Sequence, residues 1–522
     1  MQGLQVIGSS LASWALTLVT AGMAIAVEID VGIVQRFGDE PTERLEIAGA
    51  NGQSLTVAFQ DGGRAETVQV PKIALEIAVV SLAEPEVREQ VVLADTATFE
   101  TAEAAAKEWE TRGIPVEIVQ PGRWQVWAAR ETYRTPLLRR LLLMDLQEQG
   151  YQEPRLESEI FAATHQVLLD VGTRRVPLQE ASLESAGDRL TVMADGKTQL
   201  YAGRLRLQPN AYGDYTLVNR VDIEDYLRGV VPYEIAPEAP QRAIEAQSII
   251  ARTYALRNLR RFKADGYELC ATVHCQVYKG LSGSKAHVDR AIAATAGQVL
   301  TYNGELVDAL YSSTTGGVTA SFEDIWDGQT RPYLRAAIDA PGQPWDLQAQ
   351  SLANEATFQR FINLQQGFNE TGTRAFRWRK TSSLEDLGAD LRKYLERVRH
   401  PQAKFAALEG LEIVSRSPSG RILQMDIRTD LGAFSLYKTE VRSALGPPRS
   451  TLFYIEPVRD AAGSLSGYTF VGGGLGHGVG LSQYGSYNLA RLGWSAQQIL
   501  AFYYPGARLQ ALDSSVVFYA GD

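Results

Sequence analysis

One acidic side chain of this sequence stands where its chemistry could be tuned. Glu234 lies in a stretch bounded by Pro232, Pro237 and Pro240, and the residues on either side of it are apolar. Because proline disfavours regular helix, the spacing predicts an irregular connection, with Glu234 on a loop and not on a solvated helix face. A carboxyl group among apolar neighbours loses hydration of its charged form, which raises its pKa toward the range of a general acid. Glu234 is therefore the candidate proton donor.

A glycine-rich segment near the C-terminus is the second place where chemistry is indicated. Residues 472–485 hold seven glycines among fourteen residues, together with His477, Gln483 and Tyr484. Ordered glycine loses extra backbone entropy, so the segment needs a reason, and close approach of a ligand to the backbone is one candidate. Aromatic faces pack on pyranose rings while amides pair with sugar hydroxyls, which favours a sugar-binding floor. A hydrogen-bonded structural role for His477 is an equal alternative.

The two cysteines of the chain flank a histidine. Cys270, His274 and Cys275 form a Cys-x3-His-Cys pattern. Two nearby cysteines in an exported protein commonly form a disulfide. The same three side chains could instead supply three ligands of a structural zinc, with His287 or His477 as the fourth. Disulfide, zinc site and free thiols all stay open at this point.

Size and charge narrow the class of protein. A chain of 522 residues exceeds what one hydrophobic core usually serves, so two or three structural units are expected. Its 45% apolar and 21% charged residues are typical of a globular protein. The formal net charge is −10 and no long basic run compensates it, so nucleic acid is not expected as a partner. The sequence also lacks a P-loop, a Gly-x-Gly-x-x-Gly run and a His-Glu-x-x-His zinc signature.

The N-terminus predicts export. Residues 1–26 contain no Asp, Glu, Lys or Arg, and their apolar portion ends at Ala24-Ile25-Ala26, a site of the kind that signal peptidase cuts. No basic residue precedes the apolar portion, so an uncleaved N-terminal anchor is the alternative, and a buried helix is the third. On this evidence we expect a periplasmic or cell-envelope protein.

Two small units are expected to follow the leader. Residues 27–87 alternate between apolar and polar and contain Asn-Gly and Asp-Gly-Gly turns, which predicts a small β unit. Residues 88–153 show strand, helix, strand, strand and helix, with Gly113 and Gly150 ending the helices. That pattern resembles the SPOR domain, which implies affinity for glycan strands. A structural α/β insert or a protein interface is the alternative interpretation.

The remainder, residues 155–522, carries five segments that resemble the SpoIID/LytB family in order. They are residues 221–237, 245–254, 270–278, 311–317 and 472–485. The family's better-studied members are lytic transglycosylases that cut bare glycan strands of peptidoglycan during spore formation, and others are described as enhancers of a cell-wall amidase. The resemblance implies an α+β protein with an antiparallel β-rich main domain, a long helix and Gly-rich loops. An insertion near residues 345–400 has no functional interpretation.

The resemblance also implies roles for individual side chains. Glu234 falls on the position of the catalytic acid. The implied substrate contacts are Gln247, Arg252, Tyr278, Ser312, Ser313, Gly316, Gly317, His477, Gln483 and Tyr484. Some family members carry a metal near the cysteine motif, so Cys270, His274 and Cys275 are the candidate zinc ligands. Family sequences usually have Lys where this chain has Glu245, which leaves the local electrostatics open.

The chemistry is consistent with a single acid. An ordinary glycosidase needs two carboxylates. A lytic transglycosylase needs one, because the muramic acid's own C6 hydroxyl attacks C1 and the same carboxyl group gives a proton and then takes one back. We therefore expect non-hydrolytic cleavage of peptidoglycan glycan strands. The rival interpretations are a non-catalytic cell-wall binding protein or amidase activator, and a zinc amidase acting on stem peptides.

Overall fold

The computed structural model of the chain describes residues 26–172, 174–236 and 238–519. It is an assembly of helices and mostly antiparallel sheets, so the predicted α+β class is confirmed. The leader expected over residues 1–26 lies outside the described residues apart from Ala26. No helix within the described ranges combines the length and apolar character needed to cross a bilayer.

The helices and strands are numbered in chain order. The helices are α1 (Phe99–Thr111), α2 (Pro136–Glu148), α3 (Ile223–Glu234), α4 (Gln241–Arg257), α5 (Ala286–Ala294), α6 (Glu355–Ile362), α7 (Leu384–Arg397), α8 (Thr439–Ala444), α9 (Gln483–Arg491) and α10 (Ala496–Tyr503). The first strands are β1 (Glu28–Phe37), β2 (Arg44–Gly49), β3 (Leu55–Asp61), β4 (Arg64–Val70), β5 (Lys72–Thr96), β6 (Val116–Val119), β7 (Trp124–Ala128), β8 (Arg155–Asp170), β9 (Arg175–Leu178), β10 (Ala181–Ser185), β11 (Arg189–Ala194), β12 (Lys197–Ala202) and β13 (Arg204–Pro209). The later strands are β14 (Tyr215–Asp222), β15 (Leu269–Cys270), β16 (Gln298–Tyr302), β17 (Glu305–Leu306), β18 (Tyr311–Ser312), β19 (Trp378–Ser383), β20 (Leu408–Arg416), β21 (Ile422–Thr429), β22 (Gly432–Tyr437), β23 (Phe453–Arg459), β24 (Leu465–Gly472), β25 (Leu481–Ser482) and β26 (Arg508–Ala511).

A seven-stranded sheet joins the first strands to later ones. Its order is β15-β1-β14-β13-β10-β3-β4, and β1 pairs antiparallel with β14. The segment 27–87 is therefore not the separate β unit that its sequence predicts. Its strands pair with strands of residues 181–222 in both large sheets, and the two segments share one hydrophobic core. Local alternation reveals strands but not their long-range partners, which explains the error.

The α/β segment 88–153 extends the second large sheet. That sheet has the order β12-β11-β2-β5-β7-β6, and the long β8 pairs with β5. Helix α1 begins where the Thr98 side chain accepts a hydrogen bond from the Thr101 amide, and Thr135 caps α2 in the same way. The predicted order of strands and helices in this segment is confirmed, whereas its likeness to a SPOR domain stays a prediction.

Helix α4 is the central support of the main domain. It is buried along nearly its whole length, because α3 and α5 pack on it and α9 and α10 contact it as well. The sequence predicts this helix over residues 243–262, and the structure ends it at Arg257. A helix enclosed in this way holds fixed positions for the chain segments around it.

The inserted part is larger than the predicted 345–400. The expected helices and strand are present as α6, α7 and β19, but β19 pairs with β24. The strands β19–β24 and the helices α7 and α8 enclose a hydrophobic core of their own. The insertion therefore runs to the start of the glycine-rich segment, and it brings α8 toward the main domain.

Candidate functional site

Glu234 is the last residue of α3, and Pro232 lies inside that helix. The predicted irregular loop is therefore wrong at this point. Proline removes one backbone donor, but α3 is held in place by packing of Tyr226, Leu227 and Val230, which are fully buried. Tertiary packing overrides the local preference, and the chain leaves the helix only at Ile235.

The carboxyl group of Glu234 is held by two donors. Its Oε1 accepts a hydrogen bond of 2.8 Å from the Val277 amide, and the Tyr311 hydroxyl bonds to the same carboxylate. Burial raises the pKa of Glu234 above its ordinary value, while these two hydrogen bonds partly oppose that rise. A carboxyl group with a raised pKa holds its proton more readily than an exposed one, and here the two donors stabilise the carboxylate after the proton is given up.

Glu234 faces a cleft of about 490 Å³ that it shares with His477. The main domain supplies Tyr254, Arg261, His274, Tyr311 and Trp326 to its walls, the inserted part supplies Arg442, and the α/β segment supplies Thr98, Phe99, Glu100 and Trp124. Three parts of the chain thus form one cleft. Its residues mix aromatic rings with polar and charged groups, which suits a sugar chain.

A larger cavity of about 800 Å³ lies next to residues 211–214. Its aromatic faces are covered, because the guanidinium of Arg36 lies 3.1 Å from the centre of the Tyr212 ring and that of Arg88 lies 4.4 Å from the centre of the Phe161 ring. A sugar ring would have to displace these cations before it could stack. The larger cavity also holds an acid, Asp214, whose pKa burial raises to about 6. We take the smaller cleft as the candidate site because it holds Glu234, the acid to which the family resemblance points, with two hydrogen-bond donors on its carboxylate.

His477 is a neutral structural side chain. Its Nδ1 accepts a hydrogen bond of 3.1 Å from the Val479 amide, and the ring bonds to the backbone carbonyl of Tyr311. Burial and the nearby charge of Arg442 lower the pKa of His477 to about 3. The geometry favours the structural alternative, in which His477 positions Tyr311 beside Glu234.

Gln247 and Gln483 lie directly behind Glu234. The Gln483 amide donates to the backbone carbonyl of Glu234, and its Nε2 is 3.5 Å from Gln247 Oε1. Gln247 is fully buried, and its Nε2 has no hydrogen-bond partner. These two predicted substrate contacts therefore hold the end of α3 from the protein side.

Arg252 and Tyr278 lie away from the cleft. Arg252 is fully buried, and its guanidinium donates two hydrogen bonds, of 2.7 and 2.6 Å, to the carboxylate of Glu224. The Tyr278 hydroxyl donates to Asn219 over 2.8 Å. Since both polar groups are occupied by protein partners, we assign both residues structural roles in place of the predicted substrate contacts.

The glycines in the loops at residues 311–317 and 472–485 allow neighbouring parts of the chain to pack closely. Gly316 and Gly317 have positive φ angles, and a Cβ on them would lie 2.7 Å from Gly473 and 2.8 Å from the Phe368 ring. An added Cβ at Gly474 would likewise press on the neighbouring loop. The predicted reason, close approach of a ligand, is replaced by close approach of the protein's own backbone.

The remaining predicted contacts are spread over the same loops. Ser312 Oγ is buried without a hydrogen-bond partner. The backbone carbonyl of Ser313 accepts a hydrogen bond of 3.2 Å from the amide of Tyr484. Tyr484 itself is exposed and packs on Tyr487. None of the three lines the cleft at Glu234.

A buried pair of carboxyl groups supports both loops. Glu370 accepts hydrogen bonds from the Gly316 amide, 2.8 Å, and from the Ser482 hydroxyl, 2.6 Å. The Thr315 hydroxyl lies 2.9 Å from Glu370 and 2.8 Å from Asp339. Burial and the charge of Glu370 raise the pKa of Asp339 to about 8. Because one hydroxyl has one proton, Thr315 can donate to only one of the two carboxyl groups at a time.

We expect Asp339→Asn to flatten the dependence of stability on pH. The folded protein keeps a proton on Asp339 up to about pH 8, whereas the unfolded chain loses it near the ordinary value of 3.8. Stability therefore falls as pH rises between these values, by at most ~1.4 kcal/mol per pH unit. The asparagine amide can donate to Thr315 without titrating. Urea unfolding at pH 5 and pH 8 checks this, and parallel losses in both proteins would contradict it.

Cys270 and Cys275 are bonded to each other in a disulfide. Each sulfur is then unavailable as a thiolate, so the motif does not fit the candidate zinc set with His274. Within residues 26–172, 174–236 and 238–519, no three His, Cys, Asp or Glu side chains are grouped so that they could hold a metal. Of the alternatives left open by the sequence, the structure favours the disulfide.

Sequence reasoning missed three groups that touch Glu234 or its cleft. Tyr311 heads the Ser/Thr-Gly-Gly run, and its position beside that motif was a signal. Val277 contributes only its backbone amide, which no side-chain pattern reveals. Arg442 comes from the inserted part, more than 200 residues from Glu234 in sequence.

In comparisons with known proteins, two family models match parts of the chain that line the candidate site. Residues 211–302 match the family model described as Stage II sporulation protein (SpoIID), and residues 320–480 match a domain of unknown function (DUF8618). An amidase enhancer of Bacillus subtilis (strain 168) is 28% identical over 304 residues, which cover 54% of this chain and 40% of that protein. Stage II sporulation protein D of Bacillus amyloliquefaciens is 27% identical over 322 residues, covering 58% of this chain and 78% of the relative. That of B. subtilis (strain 168) is 26% identical over 312 residues, covering 57% and 77%.

Proposed function

We propose that this chain, which carries a SpoIID-family domain, is a peptidoglycan lytic transglycosylase. It would cleave the glycan backbone between N-acetylmuramic acid and N-acetylglucosamine and leave a 1,6-anhydro end. The relatives named as sporulation protein D and amidase enhancer support a role at the cell wall. The activity itself is our inference from the site.

The observation that supports this proposal is the number of available acids. The cleft holds one partly buried carboxyl group and, among its described residues, no second carboxyl group that is free of a protein partner. Among the residues that line the cleft, the other carboxylate is Glu100, and it is ion-paired to Arg261. A hydrolase that uses two acids would need both to be available to substrate and water. The arrangement therefore supports a reaction that runs with one acid.

Glu234 would act twice in this reaction. In its protonated form it gives a proton to the glycosidic oxygen as the bond to C1 of the muramic acid breaks. The Val277 amide and the Tyr311 hydroxyl stabilise the carboxylate that results. That carboxylate then accepts the proton of the C6 hydroxyl as its oxygen bonds to C1, so the enzyme returns to its starting state without consuming water.

The test is to incubate sacculi with the purified protein and analyse the products by mass spectrometry. We expect glycan fragments with 1,6-anhydromuramyl ends. Reducing ends would show hydrolysis instead, and released stem peptides would show an amidase.

Amidase activation is a second candidate function, favoured by the relative named as an amidase enhancer. In that case the protein alone leaves sacculi unchanged and raises the rate of an added cell-wall amidase. Running the product analysis with and without an amidase separates the two functions. Both place the protein outside the cytoplasm, where its wall substrate is, and the disulfide agrees with that location.

We expect Tyr311→Phe to slow glycan cleavage by roughly 10- to 100-fold, the usual worth of a hydrogen bond to a charged group. The hydroxyl lowers the pKa of Glu234, so its loss raises that pKa and shifts the alkaline limb of the pH–rate profile upward. Rates measured from pH 4 to pH 9 check both effects. Tyr151→Phe is the matched control, because its ring packs on Trp109 and does not line the cleft. An unmoved alkaline limb would contradict the contact.

A further inference from the structure

Arg442 brings a positive charge without a protein partner to the cleft. It lies on α8 in the inserted part and lines the cleft together with Glu234 and His477. Throughout the described part of the chain, its guanidinium donates no hydrogen bond and forms no ion pair. By contrast, Arg261, the other arginine of the cleft, is ion-paired to Glu100.

The charged neighbours of Arg442 add to this imbalance. Its charge lowers the pKa of Arg421 and of His477, so those groups lie close enough to be repelled when charged. Burial lowers the pKa of Arg442 as well, and no acidic group among the described residues raises it. Keeping a cation partly out of water without a counter-charge costs free energy, which a bound anion would recover.

We propose that Arg442 is a carboxylate-binding residue for the glycan bound beside Glu234. This inference rests on the proposed function. A guanidinium binds a carboxylate through two parallel hydrogen bonds, which fixes the orientation as well as the charge of the ligand. In peptidoglycan the carboxylate has two sources, the lactyl group of a bare muramic acid and the carboxylates of a stem peptide.

Arg442, which forms this proposed carboxylate-binding subsite, lies outside the residues that match the SpoIID family model. Arg442 lies within the match to residues 320–480, whereas Glu234 lies within 211–302. The inserted part would thus determine which glycan is accepted, while the main domain carries the acid.

Binding of soluble glycan oligosaccharides tests the inference. Calorimetry compares Glu234→Gln with Glu234→Gln/Arg442→Gln, so that no ligand is cleaved. The three probes are bare glycan, bare glycan with its carboxyl groups converted to neutral amides, and peptide-bearing glycan. We expect Arg442→Gln to weaken binding of the carboxylate-bearing probe by roughly 10- to 100-fold. The amidated probe should bind both proteins with equal, low affinity.

The three probes identify which carboxylate of the ligand Arg442 binds. A loss on bare glycan assigns the lactyl carboxylate, and a loss confined to peptide-bearing glycan assigns the stem peptide. Arg442→Lys should keep part of the affinity because it keeps the charge. Arg64→Gln removes an exposed arginine that does not line the cleft and should change nothing.

Equal affinity of the two proteins for every probe would overturn the inference, provided that thermal unfolding shows both to be folded. The binding measurement needs no turnover. Absence of anhydro products from the wild-type protein would count against the proposed function alone, and unchanged affinity after Arg442→Gln would count against the subsite alone.

Discussion

Glu234→Gln is expected to lower the rate of glycan cleavage by about 10²- to 10⁴-fold, the usual contribution of a general acid–base residue. Glutamine fills the same volume and can still accept from the Val277 amide, so the cleft should keep its shape. It cannot give a proton to the glycosidic oxygen. Sacculus binding should therefore survive while 1,6-anhydro ends disappear from the mass spectrum.

The matched control for this variant is Glu238→Gln. Glu238 is exposed and is four residues away in sequence, but it does not line the cleft. Its replacement should leave the rate within about twofold, as expected for a surface position. Full activity of Glu234→Gln would show that the acid is elsewhere.

Removal of the partner of Arg252 is expected to give the largest loss of stability. Glu224→Ala leaves a fully buried guanidinium without its carboxylate, and an unpaired buried charge of this kind costs about 3–5 kcal/mol. The Gly297 amide also loses its acceptor. Urea denaturation measures the loss as a lower midpoint. Glu110→Ala, at an exposed position of α1, is the control and should be nearly neutral.

Arg252→Gln distinguishes this structural role from the substrate contact that the sequence predicts. If Arg252 only supports the fold, the variant loses stability, and the KM of the remaining folded protein is unchanged. A raised KM with unchanged stability would restore the substrate role. The double variant Glu224→Ala/Arg252→Gln should lose less than the sum of the two single changes, because each single change leaves one partner unpaired.

Much of the secondary structure and the candidate acid Glu234 could be predicted from the sequence. The stops at Gly113 and Gly150 predict the helices of the α/β segment, and the structure has them there. The apolar neighbours of Glu234 predict its raised pKa, whose direction the structure supports. These features depend on residues close in sequence.

Features that depend on distant contacts were not predictable. The helix through Pro232 persists because α3 is packed on several sides, which no local pattern reports. The pairing of β1 with β14 joins residues nearly 200 positions apart. Two contributions to the cleft, Glu100 and Arg442, come from parts that carry no recognisable catalytic motif.

For the glycines, the sequence predicts the irregular backbone correctly but not its cause. Their density predicts an irregular segment that needs positive φ, and Gly474, Gly476, Gly478 and Gly480 all have it. Whether the space beside a glycine is filled by ligand or by protein is decided by the tertiary structure. Here Arg421 and the backbone of Leu310 fill it beside Gly478 and Gly480.

Digestion of purified glycan strands in ¹⁸O-labelled water tests the central claim most directly, because it asks whether water enters the product. If Glu234 alone carries the reaction, the new muramyl ends are 1,6-anhydro and contain no label. New reducing ends that carry ¹⁸O at C1 would show that water is the nucleophile, and the single-acid account would be contradicted.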